Sequence, residues 1–206
     1  MRLGAAFGNI NMGTDWGVIR GLVGELEAAG FDGISTNDHV IGGHPERAEG
    51  ERVHTSSTGV HEPLVFLSFI AAVTERVELA TGVLLLPQRQ TTLVAKQCAE
   101  LDLLSGGRLR RYWTSEHVSY QGQWHSLDRV RGYARDAGRD PAELGIECAI
   151  RTRPDDDLAK WVELAEAYRD LGATHLKVFA AGEGPTEIVL LMRRWLDTVG
   201  PVAKTA

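Results

Sequence analysis

Cysteine is scarce in this chain. Its 206 residues hold two, Cys98 and Cys148, both within apolar segments. That excludes a disulfide framework and predicts two buried thiols in a reducing compartment. Basic excess is also absent: 22 Lys and Arg face 28 Asp and Glu, for a net charge of −6. A general nucleic-acid binder needs a basic face, so that class is excluded. Apolar runs long enough for a membrane are missing. LVFLSFIAAV and VELATGVLLLP are too short or too interrupted to span a bilayer, and MRLGAAFGN lacks the apolar region of a signal peptide. The expectation is a cytoplasmic protein with neither membrane nor nucleic-acid partner. There is no short repeat, no GxGxxG and no Walker sequence. His44, His54 and His61, taken with Asp38 and His39, match no zinc spacing, so no metal is expected.

What remains is an alternation of strands and helices. Apolar segments at Arg2–Phe7, Phe31–Ser35, Val77–Leu86, Leu144–Ile150 and His175–Phe179 read as strands. Helices are predicted over Asp15–Ala29, Leu64–Thr74, Thr91–Leu104, Asp155–Leu171 and Thr186–Val199, the last ending at Gly200-Pro201. Val77–Leu86 is apolar on both faces, the mark of a strand in a covered parallel sheet. Alternating βα units predict one parallel α/β domain over residues 1–206. The rhythm breaks after Leu109, where HVSYQGQWHSL (117–127) reads as a β-hairpin with an apolar face that suits packing on the barrel or on a second subunit. Arg131–Gly138 reads as the tail of a helix without its strand.

The strand Phe31–Ser35 runs into Thr36, Asn37, Asp38 and His39. Polar residues at the carboxyl end of a parallel strand face the ligand crevice, which makes Asp38 and His39 the first candidate site. Lys177 has two possible directions, into a barrel or out to the surface. Gly82 sits mid-strand, where a glycine marks special backbone or a close approach.

Two stretches carry a resemblance. WGVIRGLVGELEAAGFDGISTNDHV (16–40) and HEPLVFLSFIAAVTERVELATGVLLLPQRQTTLVAKQCAELDLLSGGRL (61–109) resemble the luciferase-like flavin- and deazaflavin-dependent oxidoreductases. RGYARDAGRDPAEL (131–144) and HLKVFAAGEGPTEIVLLMRRWLD (175–197) are similar to segments of the same family. The resemblance implies a (β/α)8 TIM barrel. Arg110–Arg111 and Leu127–Arg131 then read as junctions where a Gly-rich strand, a helix and a further strand–helix pair are missing. Either the protein is a natural deletion variant or this sequence omits disordered segments; a part-barrel would expose unpaired edges and apolar faces, so the second is expected.

The resemblance further implies hydride transfer between a bound coenzyme F420 and a small organic substrate, in a homodimer. The alternatives are an FMN-dependent monooxygenase and a shortened, non-catalytic flavin-binding protein. His39 would be the proton- or hydrogen-bond-donating catalytic residue, oriented by Asp38. Asp38, His39, Gly82 and Val83 would contact the cofactor, with a non-prolyl cis peptide at Gly82–Val83. A metal-dependent hydrolase built on Asp38 and His39 is the most distant alternative.

Overall fold

The computed structural model describes residues 1–7, 13–40, 59–110, 113–114, 131–143, 145–182 and 184–204. The hairpin expected over 117–127 and most of the loop over 41–60 lie outside them. Strands β1 (Arg2–Ala6), β2 (Gly33–Thr36), β3 (Glu78–Thr81), β4 (Trp113–Thr114), β5 (Ile146–Thr152) and β6 (His175–Ala180) form one sheet. Its spatial order is β3-β2-β1-β6-β5-β4, and every pair is parallel. Helices α1 (Trp16–Ala29), α2 (Pro63–Val73), α3 (Thr91–Leu104), α5 (Leu158–Asp170) and α6 (Pro185–Lys204) connect and cover it, with α4 over residues 131–136.

The chain after α3 meets both outer strands. The Leu79 amide donates to the Arg108 carbonyl (2.9 Å), and the Arg110 amide donates to the Leu79 carbonyl (2.7 Å). A few residues on, Trp113 and Thr114 pair with Ile146 and Glu147 of β5. The sheet therefore curls back on itself as a parallel barrel. Six strands are present among the described residues, fewer than the eight of the (β/α)8 barrel that the resemblance implies, in line with the incomplete barrel expected of this sequence. Among the described residues β3 and β5 each have a neighbour, because the segment after α3 meets both.

Alternate residues of the strands take opposite roles. Leu3, Ala5, Ile34, Leu79, Ile150, Leu176 and Val178 belong to the apolar core, together with Val23, Leu26, Leu67, Ile70, Trp161, Met192 and Trp195 of the helices. The other face looks into the barrel and is polar. One register row runs Glu78, Gly33, Gly4, Lys177, Ala149. A Cβ on Gly4 would lie 3.5 Å from Lys177 Cβ, and one on Gly33 would lie 3.4 Å from the Glu78 carbonyl oxygen. These glycines leave the width that two long charged side chains need. Glu78 pairs with Arg2 and, at 3.1 Å, with Arg110 Nε. Lys177 is 1% exposed, so of its two directions the inward one holds.

Local signals explain most element ends. Asp15 Oδ1 accepts the Gly17 and Val18 amides at the start of α1, and Gly30 ends that helix at φ 99°, in the left-handed region open to glycine. Two boundaries differ from expectation. The third strand stops at Thr81 instead of reaching Leu86, because the chain turns out of the sheet at Gly82, and a 3-10 turn follows at Leu86–Gln88. Helix α6 continues through Gly200-Pro201 to Lys204. A proline this near the end costs little, since its missing N–H removes one bond in a turn that tertiary contacts support. The Met1 ammonium donates to the Ala203 carbonyl, and Arg169 Nη1 donates to the Val202 carbonyl.

Candidate active site

Residues 37–40 leave the carboxyl end of β2, and residues 82–90 leave that of β3. The two segments are joined by one carboxylate. Asp38, whose side chain is 0% exposed, accepts Arg89 Nη2 on Oδ1 (2.6 Å) and Arg89 Nε on Oδ2 (2.8 Å). Its Oδ2 also accepts the Leu85 amide at 2.7 Å. Arg89 Nη1 donates to Glu62 Oε1 at 2.7 Å, and the other Glu62 oxygen caps α2 by accepting the Val65 amide. One guanidinium thus ties together the β2 end, the turn before α3 and the start of α2. The bidentate fork adds direction as well as energy.

Burial would raise the Asp38 pKa. The Arg89 hydrogen bonds, the Leu85 amide and the charges of Arg89 and His39 outweigh it and hold the carboxyl below its ordinary value. Arg89 is shifted up by the same hydrogen bonds, so the pair stays ionised. Glu27 behaves alike at the other end of the barrel. Its burial raises the pKa, but the amides of Arg76, Val77 and Glu75 lower it further. A depressed folded-state pKa means that the unfolded chain takes up the proton first. The stability from both carboxylates is therefore complete above about pH 4 and is lost as pH falls through their lower folded-state values. Urea midpoints measured from pH 6 down to pH 3 should begin to fall near pH 4, and Asp38→Asn should flatten that fall.

His39 is half-buried beside Asp38 and lines a cavity of about 370 Å³. Arg89 and the amides of Gln88, Gln90 and Gln97 share its polar side, and Val60, Val65 and Leu93 its apolar side. Asp38 itself does not line the cavity: it lies buried behind His39 and Arg89, with both oxygens committed to Arg89. Gly82 and Val83 do not line this cavity. Gly82 is buried, and a Cβ there would lie 3.4 Å from Lys177 Nζ, from Asn37 Oδ1 and from the Thr36 carbonyl oxygen. Its lack of a side chain is explained by a close approach, as expected, but the approaching group is a lysine. The expected cis peptide is not found: no described peptide bond is cis, Gly82–Val83 included.

Lys177 is the residue whose role the sequence left open. It rises from β6, which lies three places from β3 in the six-stranded ring, so its side chain crosses the barrel to reach Gly82. Its ammonium pairs with Glu147 Oε1 at 2.7 Å and stands 5.1 Å from the Phe179 ring centroid. No group of three or more His, Cys, Asp or Glu that could hold a metal occurs among the described residues. No described helix is long and apolar enough to cross a membrane.

A parallel α/β barrel with polar residues gathered at the carboxyl ends of its strands is the architecture of a small-molecule enzyme. The family model for luciferase-like monooxygenases matches residues 3–111, just over half of the chain. The chain belongs to that family, a family of oxidoreductases. An F420-dependent secondary alcohol dehydrogenase, solved with an F420–acetone adduct, is similar in structure: TM-score 0.66 at 11% identity, over 96% of this chain and 98% of that one. The tryptophan synthase alpha chain from Legionella pneumophila subsp. pneumophila gives 0.53 at 11%, over 99% and 93%. A coenzyme F420-dependent tetrahydromethanopterin reductase from Methanopyrus kandleri gives 0.44 at 12%, over 98% and 61%. At these identities the likeness concerns the fold. No curated protein matches the chain.

Proposed function

We propose that this chain is a deazaflavin-dependent oxidoreductase that holds coenzyme F420 in the His39 cavity and acts on a small organic substrate. The observation that carries the reading is the position of His39 on a cavity of about 370 Å³ at the carboxyl end of β2, in a chain of the luciferase-like family. That volume lies in the range of cofactor-sized sites. The lining also fits the group. Val60, Val65 and Leu93 offer apolar surface to the faces of a flat ring system, and the glutamine amides offer donors and acceptors to a pyrimidinedione edge.

When bound, the deazaflavin supplies two-electron hydride chemistry. The protein supplies position and protons. Arg89, through Asp38, fixes the backbone from which His39 projects, so the imidazole meets the ligand from a set direction. His39 can then donate a hydrogen bond or proton at a substrate oxygen. Gly82 and Val83 do not line the cavity; the buried Gly82 leaves room for the Lys177 ammonium inside the barrel.

Titration of the purified chain with F420 and with FMN, followed by fluorescence, tests the cofactor. Saturable F420 binding tighter than FMN binding is the expected result; tighter FMN binding would move the chain to the flavin monooxygenases, and binding of neither would end the proposal. His39→Ala should cut turnover by about 10²–10⁴-fold, the usual contribution of a general acid, with an unchanged thermal midpoint. Binding without turnover in the unmutated chain, against a panel of alcohols and carbonyl compounds, would favour a non-catalytic flavin-binding role.

A further inference from the structure

A second cavity, of about 270 Å³, opens between the starts of α1 and α2 and is built largely from rings. Trp16 and Ile19 come from α1, Val65, Phe66 and Phe69 from α2, and His61 stands just before α2. Three rings form a column. Phe7 and Phe66 lie 6.2 Å apart with planes 4° apart, and Phe66 and His61 lie 5.0 Å apart with planes 6° apart. His61 is held in place by a hydrogen bond between Nε2 and the Gly13 carbonyl at 2.9 Å. Trp16, by contrast, is 65% exposed, an unusual cost for the largest apolar side chain.

Among the described residues that line the groove, Glu62 is the one carboxylate, and its two oxygens accept from Arg89 and from the Val65 amide. Thr14 adds a hydroxyl. Flat aromatic walls, neutralised charge and one small polar handle suit an uncharged planar ring better than an ion or a flexible chain.

The groove also adjoins the proposed cofactor site. Glu62 and Val65 line both cavities. A third, of about 410 Å³, is bordered by Thr14, Val60 and His61, and Val60 belongs to the His39 cavity as well. The three voids share walls along one rim of the barrel.

We propose that the α1–α2 groove seats the substrate and that the substrate is an uncharged, planar molecule of one or two rings, stacked in line with His61 and Phe66 against Trp16. This rests on the cofactor reading above, which places the reacting partner in the adjoining cavity.

Calorimetric titration with 2-naphthol, cyclohexanol and naphthalene-2-sulfonate is the test, on the unmutated chain and on Trp16→Ala, Phe69→Ala and Leu190→Ala. The first is neutral and flat, the second neutral and puckered, the third flat and charged. Saturable 2-naphthol binding is expected, tighter than that of the other two. Trp16→Ala should weaken it about tenfold, as loss of one aromatic wall implies. Leu190, exposed on α6, is the control and should change nothing. Phe69→Ala gives a second reading from the opposite wall. Equal binding of cyclohexanol, no 2-naphthol binding, or binding indifferent to both wall substitutions would overturn the proposal. So would self-association that Trp16→Ala abolishes, since the groove would then be a subunit contact.

F420 titration of the same variants separates the two claims. Trp16 does not line the His39 cavity, so its variant should bind F420 normally. F420 binding without naphthol binding sinks the groove and leaves the cofactor reading standing. Naphthol binding without F420 binding sinks the cofactor reading, and with it the assignment of the groove's ligand as substrate.

Discussion

Arg89→Ala is expected to lower the unfolding free energy by about 3–5 kcal/mol, the usual cost of removing one partner from a buried ion pair. The Asp38 side chain is 0% exposed and Arg89 10%, so removing the guanidinium leaves a carboxylate that has lost both of its charge-assisted hydrogen bonds. Among the described residues, the Leu85 amide is the other hydrogen-bond donor to this carboxylate. The loss should spread beyond one pair, since Arg89 also holds Glu62 at the start of α2. Urea unfolding of Arg89→Ala, Asp38→Asn and the double variant Asp38→Asn/Arg89→Met is the measurement. The double variant should recover most of the loss, because neither charge is then stranded and an asparagine oxygen can still accept the Leu85 amide. Arg89→Lys should fall between, as one ammonium cannot reproduce the bidentate fork. An Arg89→Ala variant as stable as the unmutated chain would show that the clamp holds nothing.

The second large effect concerns the pair inside the barrel. Lys177→Met should cost about 3–5 kcal/mol by the same logic. Glu147 would be left with a buried charge, its side chain 8% exposed, opposite a thioether. Lys177→Met/Glu147→Leu should regain much of this, since a buried pair replaced by apolar groups of similar size is often neutral. The F420 titration on both variants adds a second reading. If Lys177 only fills the barrel, the double variant binds F420 as the unmutated chain does. Weaker binding in a stable double variant would show that the ammonium at the mouth acts on the ligand.

These two residues also show where sequence and structure part. Arg89 stands in LPQRQ, inside a stretch that carried the family resemblance, yet nothing in its spacing from Asp38 pointed to a contact. The contact spans 51 positions and exists because β2 and β3 are neighbours in the sheet. Lys177 was ambiguous for a similar reason. A strand has two faces, and a single lysine between apolar residues fits either until the pairing partner is known. The glycines opposite it, Gly4 and Gly33, make sense only as a row. Gly82 carried a legible signal of close approach, but the identity of the approaching group was a matter of barrel geometry. In the sequence His61 stands out only as a candidate metal ligand and Trp16 not at all, since the groove they share brings together segments distant in sequence.

Local chemistry was enough for the elements. Periodicity, caps and breakers placed the main helices and strands to within a few residues, and small polar residues after the second strand located the mouth. The exceptions, the early end of β3 and the late end of α6, lie where long-range bonds outweigh local preference. The parallel class was legible as well, because strands that alternate with helices form βαβ units. Closure was not. Six strands became a ring when Leu109 met β3 and Trp113 and Thr114 met β5, and no local pattern encodes a contact between the two ends of a sheet. A chain's short-range forces choose helix or strand residue by residue, whereas the neighbours a strand acquires depend on how the whole set packs.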